Sequence, residues 1–503
     1  MRAPTLARLA VAGNRTDVLR TVLTAVSALL ATFAMLCAAT VASIQGWAVR
    51  YTNALLAEPG LRPGVAATFV LVSLPVLALA GQCIRLGAPA RDRRLAAIRL
   101  AGATPREATL IATAETAVAS LLGSVLGLAV YLVARGVLGR GDQHTLPTDV
   151  LPPAPVIAVL VLLVPVLAAA VGAVLMRRVI VTPLGVVRRM RTRGPRPWPG
   201  LLIAFGLALS AVPFWAIQHD GPTWLSRLVG SPSRNLTYTL LGGGTALTMA
   251  GVVLGVGWIS HTAGRLLRRY GRGPATLLAG QRLITDPWNG SRTMAALLVA
   301  VIAGSVALAY RALLATNFLY YDLYNRMMGH TDGEGIGAGG DPEFYFGAIR
   351  LVMVAVGLSA AVAAAGLLVA VADGVVARRR TYASLTATGV PRRTLAAALL
   401  WQTATPMVPA LLLALAAGDA LVRLIQTDFD LRAEYESCIA TPETASQCVP
   451  LATFHAPGIL RVPIPWGDLS LLGGGALLGV LVAVGAGVLV LRSSTDLEEL
   501  RIG

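Results

Sequence analysis

Glu115, in IATAETAVASLLG, is a carboxylate set inside an apolar run. An ionisable group there is costly to bury and has two natural uses: hydrogen bonding between helices, or passing a proton. A proton relay needs several carboxylates at similar depth, and only Glu115 approaches it. Asp373 lies near the end of another run, and Asp419 and Arg423 stand one helical turn apart, spaced to pair. Cys438 and Cys448 close a short polar loop, CIATPETASQC. On the oxidising side of a membrane they would form a disulfide; otherwise they are two free thiols. Metal binding is not expected there, because His455 alone is near, and the other histidines (144, 219, 261, 330) have no ligand spacing. Cys37 and Cys83 fall inside apolar runs and read as small core residues. No Ser/His/Asp, Cys/His or paired-carboxylate constellation is visible. All 42 basic residues are arginine, so no Walker A lysine and no Schiff-base lysine exists. The chain is not an ATPase of the P-loop kind, and no cofactor is expected in it. The arginine-only usage suggests a GC-rich bacterium.

The elements that hold these residues are membrane helices. Of the 503 residues, 55% are hydrophobic and 13% charged, which is too apolar for an ordinary soluble protein. Ten apolar runs recur, each long enough to cross a hydrocarbon core of about 30 Å. They cover 21–46, 65–86, 108–134, 153–176, 199–217, 237–259, 293–315, 347–374, 395–423 and 468–492. With the N-terminus inside, 30 of the 42 arginines fall on inner segments, the positive-inside bias. That distribution also excludes nucleic acid as the reason for the net charge of +17: the arginines of 177–196 and 265–292 face anionic lipid or a cytoplasmic partner. The predicted location is a bacterial cytoplasmic membrane, with both termini cytoplasmic. Residues 1–20 read as an amphipathic helix along the inner surface.

One element occurs twice. Residues 91–117, RDRRLAAIRLAGATPREATLIATAETA, link spans 2 and 3; residues 377–405, ARRRTYASLTATGVPRRTLAAALLWQTAT, link spans 8 and 9. Setting Gly102 on Gly389 pairs Arg93 with Arg380, Ile98 with Leu385 and Glu115 with Gln402; a one-residue slip then pairs Pro105 with Pro391. In each copy arginines (Arg93, Arg94; Arg379, Arg380) open a short helix, the Gly ends it, and the Pro starts the next span. Such an element can dock on a soluble protein and pass force to two spans. Spans 1–4 and 7–10 then form two copies of one unit, inserted in the same direction, as a duplication predicts.

The stretch RRLAAIRLAGATPREATLIATAETAVASLLGSVLG resembles the FtsX-like permease family, the membrane subunits of MacB/LolCE/BceB-type ABC transporters, also called type VII. Gly102, Ala103, Thr104 and the early Glu115 match its coupling turn and following span. Gly389-Val390-Pro391 and Gln402 are the degenerate second version, and RSSTDLEELR is similar to the family's ending. The resemblance implies an all-α polytopic fold: two parallel four-helix units, 1–190 and 265–503, joined by a hairpin, 191–264. The outer loops would be 316–346 and 424–467. It further implies two copies of a cytoplasmic ATPase carrying the ATP and Mg, docked on 91–105 and 378–392, and mechanotransmission acting on an amphiphile such as a lipid, lipopeptide or antimicrobial compound. The ten-span layout is similar to BceB-type permeases of antimicrobial-peptide resistance, but their large domain between spans 7 and 8 is replaced here by the short link 316–346. The large domain that MacB-like and LolC-like proteins carry after span 1 is also missing. Two rival readings are a non-transporting mechanotransmitter, signalling to an outside enzyme or sensor kinase, and a proton-coupled secondary transporter.

Overall fold

The computed structural model describes residues 15–46, 48, 50–52, 54–59, 61–83, 102, 104–139, 146–180, 194–218, 234–327, 342–431 and 458–493. Arg93, Arg94, Ile98, Ala103, Cys438 and Cys448, with residues 1–14 and most of the terminal RSSTDLEELR, lie outside them. Helices cover all ten predicted runs: α1 Arg15–Ala42, α2 Arg62–Cys83, α3 Pro105–Leu138, α4 Ala154–Ile180, α5 Pro199–Gln218, α6 Arg234–Tyr270, α8 Pro287–Met327, α9 Pro342–Ala377, α11 Arg392–Arg423 and α12 Trp466–Ser493. Beside a single helical turn at Ala54–Ala57, two longer helices are α7, Pro274–Thr285, and α10, Arg379–Ala387. Eight of the ten are long and apolar enough to cross a membrane; α4 and α5 carry shorter apolar runs, Ala154–Ala170 and Pro199–Phe214. The protein is an all-α polytopic membrane protein.

Several helices outrun the apolar stretch that announces them. α6 is 37 residues and α8 is 41 residues long. Arg268 and Arg269 lie in the last turn of α6, where a cation suits the helix dipole, so the arginines extend the helix instead of ending it.

The two predicted units share one packing plan. In the first, α1 packs on α2, α3 and α4, α3 packs on α4, and α2 touches α4. In the second, α8 packs on α9, α11 and α12, α11 packs on α12, and α9 touches α12. These are the same five pairs. The units meet through α2, which lies against α9 and α8. Leu351 of α9 stands beside Val65 and Phe69 of α2, while Gly366 of α9 meets Leu79 of α2, so these helices run the same way. The α5–α6 hairpin packs on the second unit, with α6 against α8 and α11 and α5 against α11. Within it, Gly244 lets the helices approach: a Cβ at Gly206 would sit 2.7 Å from the Gly244 carbonyl oxygen.

Burial is concentrated in the second unit. One apolar core joins α6, α8, α9, α10, α11 and α12, through Val256, Leu298, Ile302, Leu367, Met407 and Val480 among others. At the far end, away from Gly102 and Gly389, α8 continues past the core and its Tyr320 packs on Phe429. Phe429 belongs to β1, Asp428–Asp430, which pairs antiparallel with β2, Ile459–Arg461, with Phe429 opposite Leu460. The Leu431 amide donates to the Gly458 carbonyl at 3.1 Å. The link from α1 to α2 is organised by Arg62, 4% exposed, which donates to the carbonyls of Leu56, Ile44 and Ala57 at 2.7–2.9 Å.

Candidate coupling site

Gly102 and Gly389 have φ of +96° and +90°, in the left-handed region that suits glycine. Around Gly389 the full turn is visible. The Gly389 amide donates to the Thr386 carbonyl and the Val390 amide to the Leu385 carbonyl, both at 3.0 Å. This is a Schellman motif closing α10, and Leu385 and Val390 both rest on the apolar core. Pro391 then caps α11, at φ −64° and ψ 138°. At the first turn Thr104 caps α3, at φ −71° and ψ 156°, with Pro105 at the helix start. The caps correct the slip in the sequence alignment. Thr104 and Pro391 occupy the same place relative to their glycines, so Pro391 answers to Thr104 and no residue is skipped.

The first turn has a lock the second lacks. The Thr104 amide donates to Glu107 Oε2 at 2.9 Å, and the Glu107 amide donates to Thr104 Oγ1 at 3.3 Å. This capping box stands in the sequence as Thr-Pro-Arg-Glu, a start signal that the reading by arginine, glycine and proline passed over. The backbone N–H of Thr104 holds the Glu107 carboxyl below the ordinary carboxylate range.

The second element is fixed differently. Tyr382 of α10 is 1% exposed within the core. Arg282 of α7 donates from Nη1 to its hydroxyl at 2.6 Å, and the guanidinium carbon lies 4.9 Å from the ring centre. A charge-assisted bond and a cation–π contact thus tie the short helix to α7, which itself packs on α6 and α11. Neither residue was singled out from sequence, because Tyr382 sits in a helix of mixed polarity and its partner is 100 residues away.

Nearly three turns into α3, Glu115 meets Arg20 of α1, with Oε1 and Nη2 2.5 Å apart and the side chains 12% and 6% exposed. Glu115 is therefore a carboxylate paired between helices. Its counterpart Gln402 leaves Oε1 buried with no partner among the described residues. Asp419 and Arg423 do pair, Nε donating to Oδ2 at 2.7 Å. No group of three or more His, Cys, Asp or Glu suited to a metal occurs among the described residues.

A helical bundle in which two sets of four helices make the same pairs, with a glycine turn at the same place in each, defines a class: polytopic all-α membrane proteins. The sequence matches the FtsX-like permease C-terminal family over residues 64–183 and again over 353–497. These regions make up more than half of the chain, which belongs to the FtsX-like permease family. No curated protein matches it. Members of the family are membrane subunits, distinct from the ATPases with which they generally work. The chain is accordingly a multi-pass membrane permease subunit of an ABC-type transporter.

Proposed function

We propose that the chain works with two copies of a separate cytoplasmic ATPase, docked on residues 91–105 and 378–392, and that their closure moves the bundle to handle an amphiphile from the outer side. The membrane is the bacterial cytoplasmic membrane, with both termini inside, as the arginine distribution supports. The observation that carries this reading is α10. It is a nine-residue helix that joins α9 to α11 through one glycine turn and is seated on the core by Tyr382. A partner pressing on it moves two spans at once. The glycine turn before α3 supports a matching seat in the first unit. The pairing of Glu115 with Arg20 counts against a proton relay, which needs a carboxylate free to exchange its proton.

The test is capture of the detergent-solubilised chain from its host, followed by mass spectrometry and an ATPase assay. The expected result is a Walker-motif ATPase at two copies per chain, released or uncoupled by Arg93→Glu with Arg94→Glu. A chain that moves its substrate with no ATPase present overturns the reading.

A further inference from the structure

A cavity of about 260 Å³ lies at the far end of the first unit, where the α1–α2 and α3–α4 links meet. Its walls are Phe33 and Cys37 of α1, Phe69 of α2 and Tyr131 of α3, and Leu351 of α9 completes them from the second unit. Two of the hydroxyls that line it are already committed. Thr40 donates to the Leu36 carbonyl at 2.8 Å, and Thr40 and Tyr131 share a 2.7 Å hydrogen bond. The walls therefore offer a ligand mainly apolar surface. The rim is apolar as well: Leu138, Leu146 and Leu351 are 47–56% exposed although they are large hydrophobic side chains.

The rim also carries one charge. Arg135, half-buried, donates from Nη1 to the Val150 carbonyl at 2.7 Å, and no acidic partner faces it among the described residues. The neighbouring Asp149 is taken by Arg50 at 2.9 Å and by the Tyr51 hydroxyl at 2.5 Å. An apolar chamber with a guanidinium at its mouth has the chemistry of an acyl chain joined to an anionic head.

We infer that this cavity binds one acyl chain of an anionic amphiphile drawn from the outer leaflet, its head held at Arg135. The placement in the outer leaflet rests on the transport reading; the binding does not. Leu351 gives the site a moving wall. It lies on α9, a 36-residue helix whose other end runs into α10, so a push on α10 reaches the chamber through about 40 Å of one helix.

The test uses the full chain in phosphatidylcholine nanodiscs and two probes: palmitate with a terminal diazirine, and the same chain ending in an alcohol. Photolabelled peptides are read by mass spectrometry. The expected label concentrates on residues 33–41, 65–69 and 131–138. Filling the chamber by Ala134→Trp lowers it at least tenfold, and Cys37→Phe does the same from the opposite wall. Arg135→Gln lowers labelling by the acid several-fold and leaves the alcohol unchanged. Label spread equally over the lipid-facing Leu478 and Val482 of α12 overturns the site, as does full labelling of a folded Ala134→Trp chain. Should neither filled variant fold, the wild-type distribution and the Arg135→Gln result decide alone. Capture of the ATPase by the unaltered chain is scored separately, so loss of the transport reading is distinguishable from loss of the site.

Discussion

The two four-helix units make the same helix pairs and hold them by different means. In the first, polar pairs recur along the seam between α1 and α3, Arg20 with Glu115, Thr32 with Ser124 at 3.1 Å and Thr40 with Tyr131, around close approaches at Gly123 and Gly127. In the second, setting Gly389 on Gly102 puts Gln402, Leu411 and Gly418 at the places of Glu115, Ser124 and Tyr131. The seam between α8 and α11 lacks those three pairs; Ser305 of α8 instead donates to the Leu415 carbonyl at 2.7 Å, beside a close approach at Gly418. A Cβ at Gly418 would lie 2.8 Å from the Ile302 carbonyl oxygen, where the first unit has Tyr131 edge-on to Phe33 at 6.5 Å. The topology of pairing is the same in both units and both seams bring backbones close at glycine, but side-chain pairs join α1 to α3, whereas a side-chain-to-backbone bond joins α8 to α11. Directional bonds fix register and resist sliding until they break. Close packing depends on volume alone.

The comparison breaks most sharply at Glu115. Glu115→Ala removes the carboxylate that meets the buried Arg20 and is expected to have the larger cost, up to about 3 kcal/mol, whereas Gln402→Ala is expected to cost under about 1 kcal/mol, since it removes a carbonyl that lacks a partner among the described residues. Thermal unfolding of the solubilised chain measures both; equal losses would show that the two seams are energetically alike. Replacing Arg20 and Glu115 together by Met should recover most of the stability.

Next in size is Tyr382→Ala, which empties a buried aromatic site at about 3 kcal/mol and should uncouple ATP hydrolysis from the bundle through the second seat. Tyr382→Phe keeps the ring and removes the 2.6 Å bond from Arg282, for a smaller loss, about 1.5 kcal/mol. If Tyr382→Phe alone abolished coupling, the hydrogen bond and not the packing would be the anchor.

Gly102→Ala and Gly389→Ala sharpen the comparison from the opposite direction. Each glycine has positive φ and open space where a Cβ would stand, so the cost is conformational alone, about 1–2 kcal/mol. The two losses should be equal, and a large difference would mean that one turn carries a contact beyond its backbone shape. Thr104→Ala has a small effect too, about 1 kcal/mol, without an equivalent at Pro391. The same capping box has a pH signature. The Glu107 carboxyl titrates below its ordinary value, so its stabilisation is present at neutral pH and fades as acidification passes through the lowered value. Thermal melts across that range should show the fade in the wild type and none in Glu107→Gln.

Apolar length made the spans legible, and glycine with proline made both turns legible, because each signal is local. Gly102 and Gly389 adopt the backbone that their places in the sequence demand. The rest depended on partners distant in the chain. Arg20 looks like a juxtamembrane arginine until α3 brings Glu115 to it. Tyr382 looks like an ordinary residue of a basic link until α7 presents Arg282. The β1–β2 pair, three residues on each side, has no period long enough to read.

That small pair has a further consequence. The strands fix where the chain leaves the bundle and where it returns, with Leu431 bonded directly to Gly458. The sequence between them is bounded by its own clasp, which is seated on Tyr320. Its length and content can change without altering the path of any helix, since doubling a closed loop adds only about 0.6 kcal/mol. Evolution or an engineer can therefore replace the stretch 432–457 as a cassette, giving the same permease body a different attachment at that end.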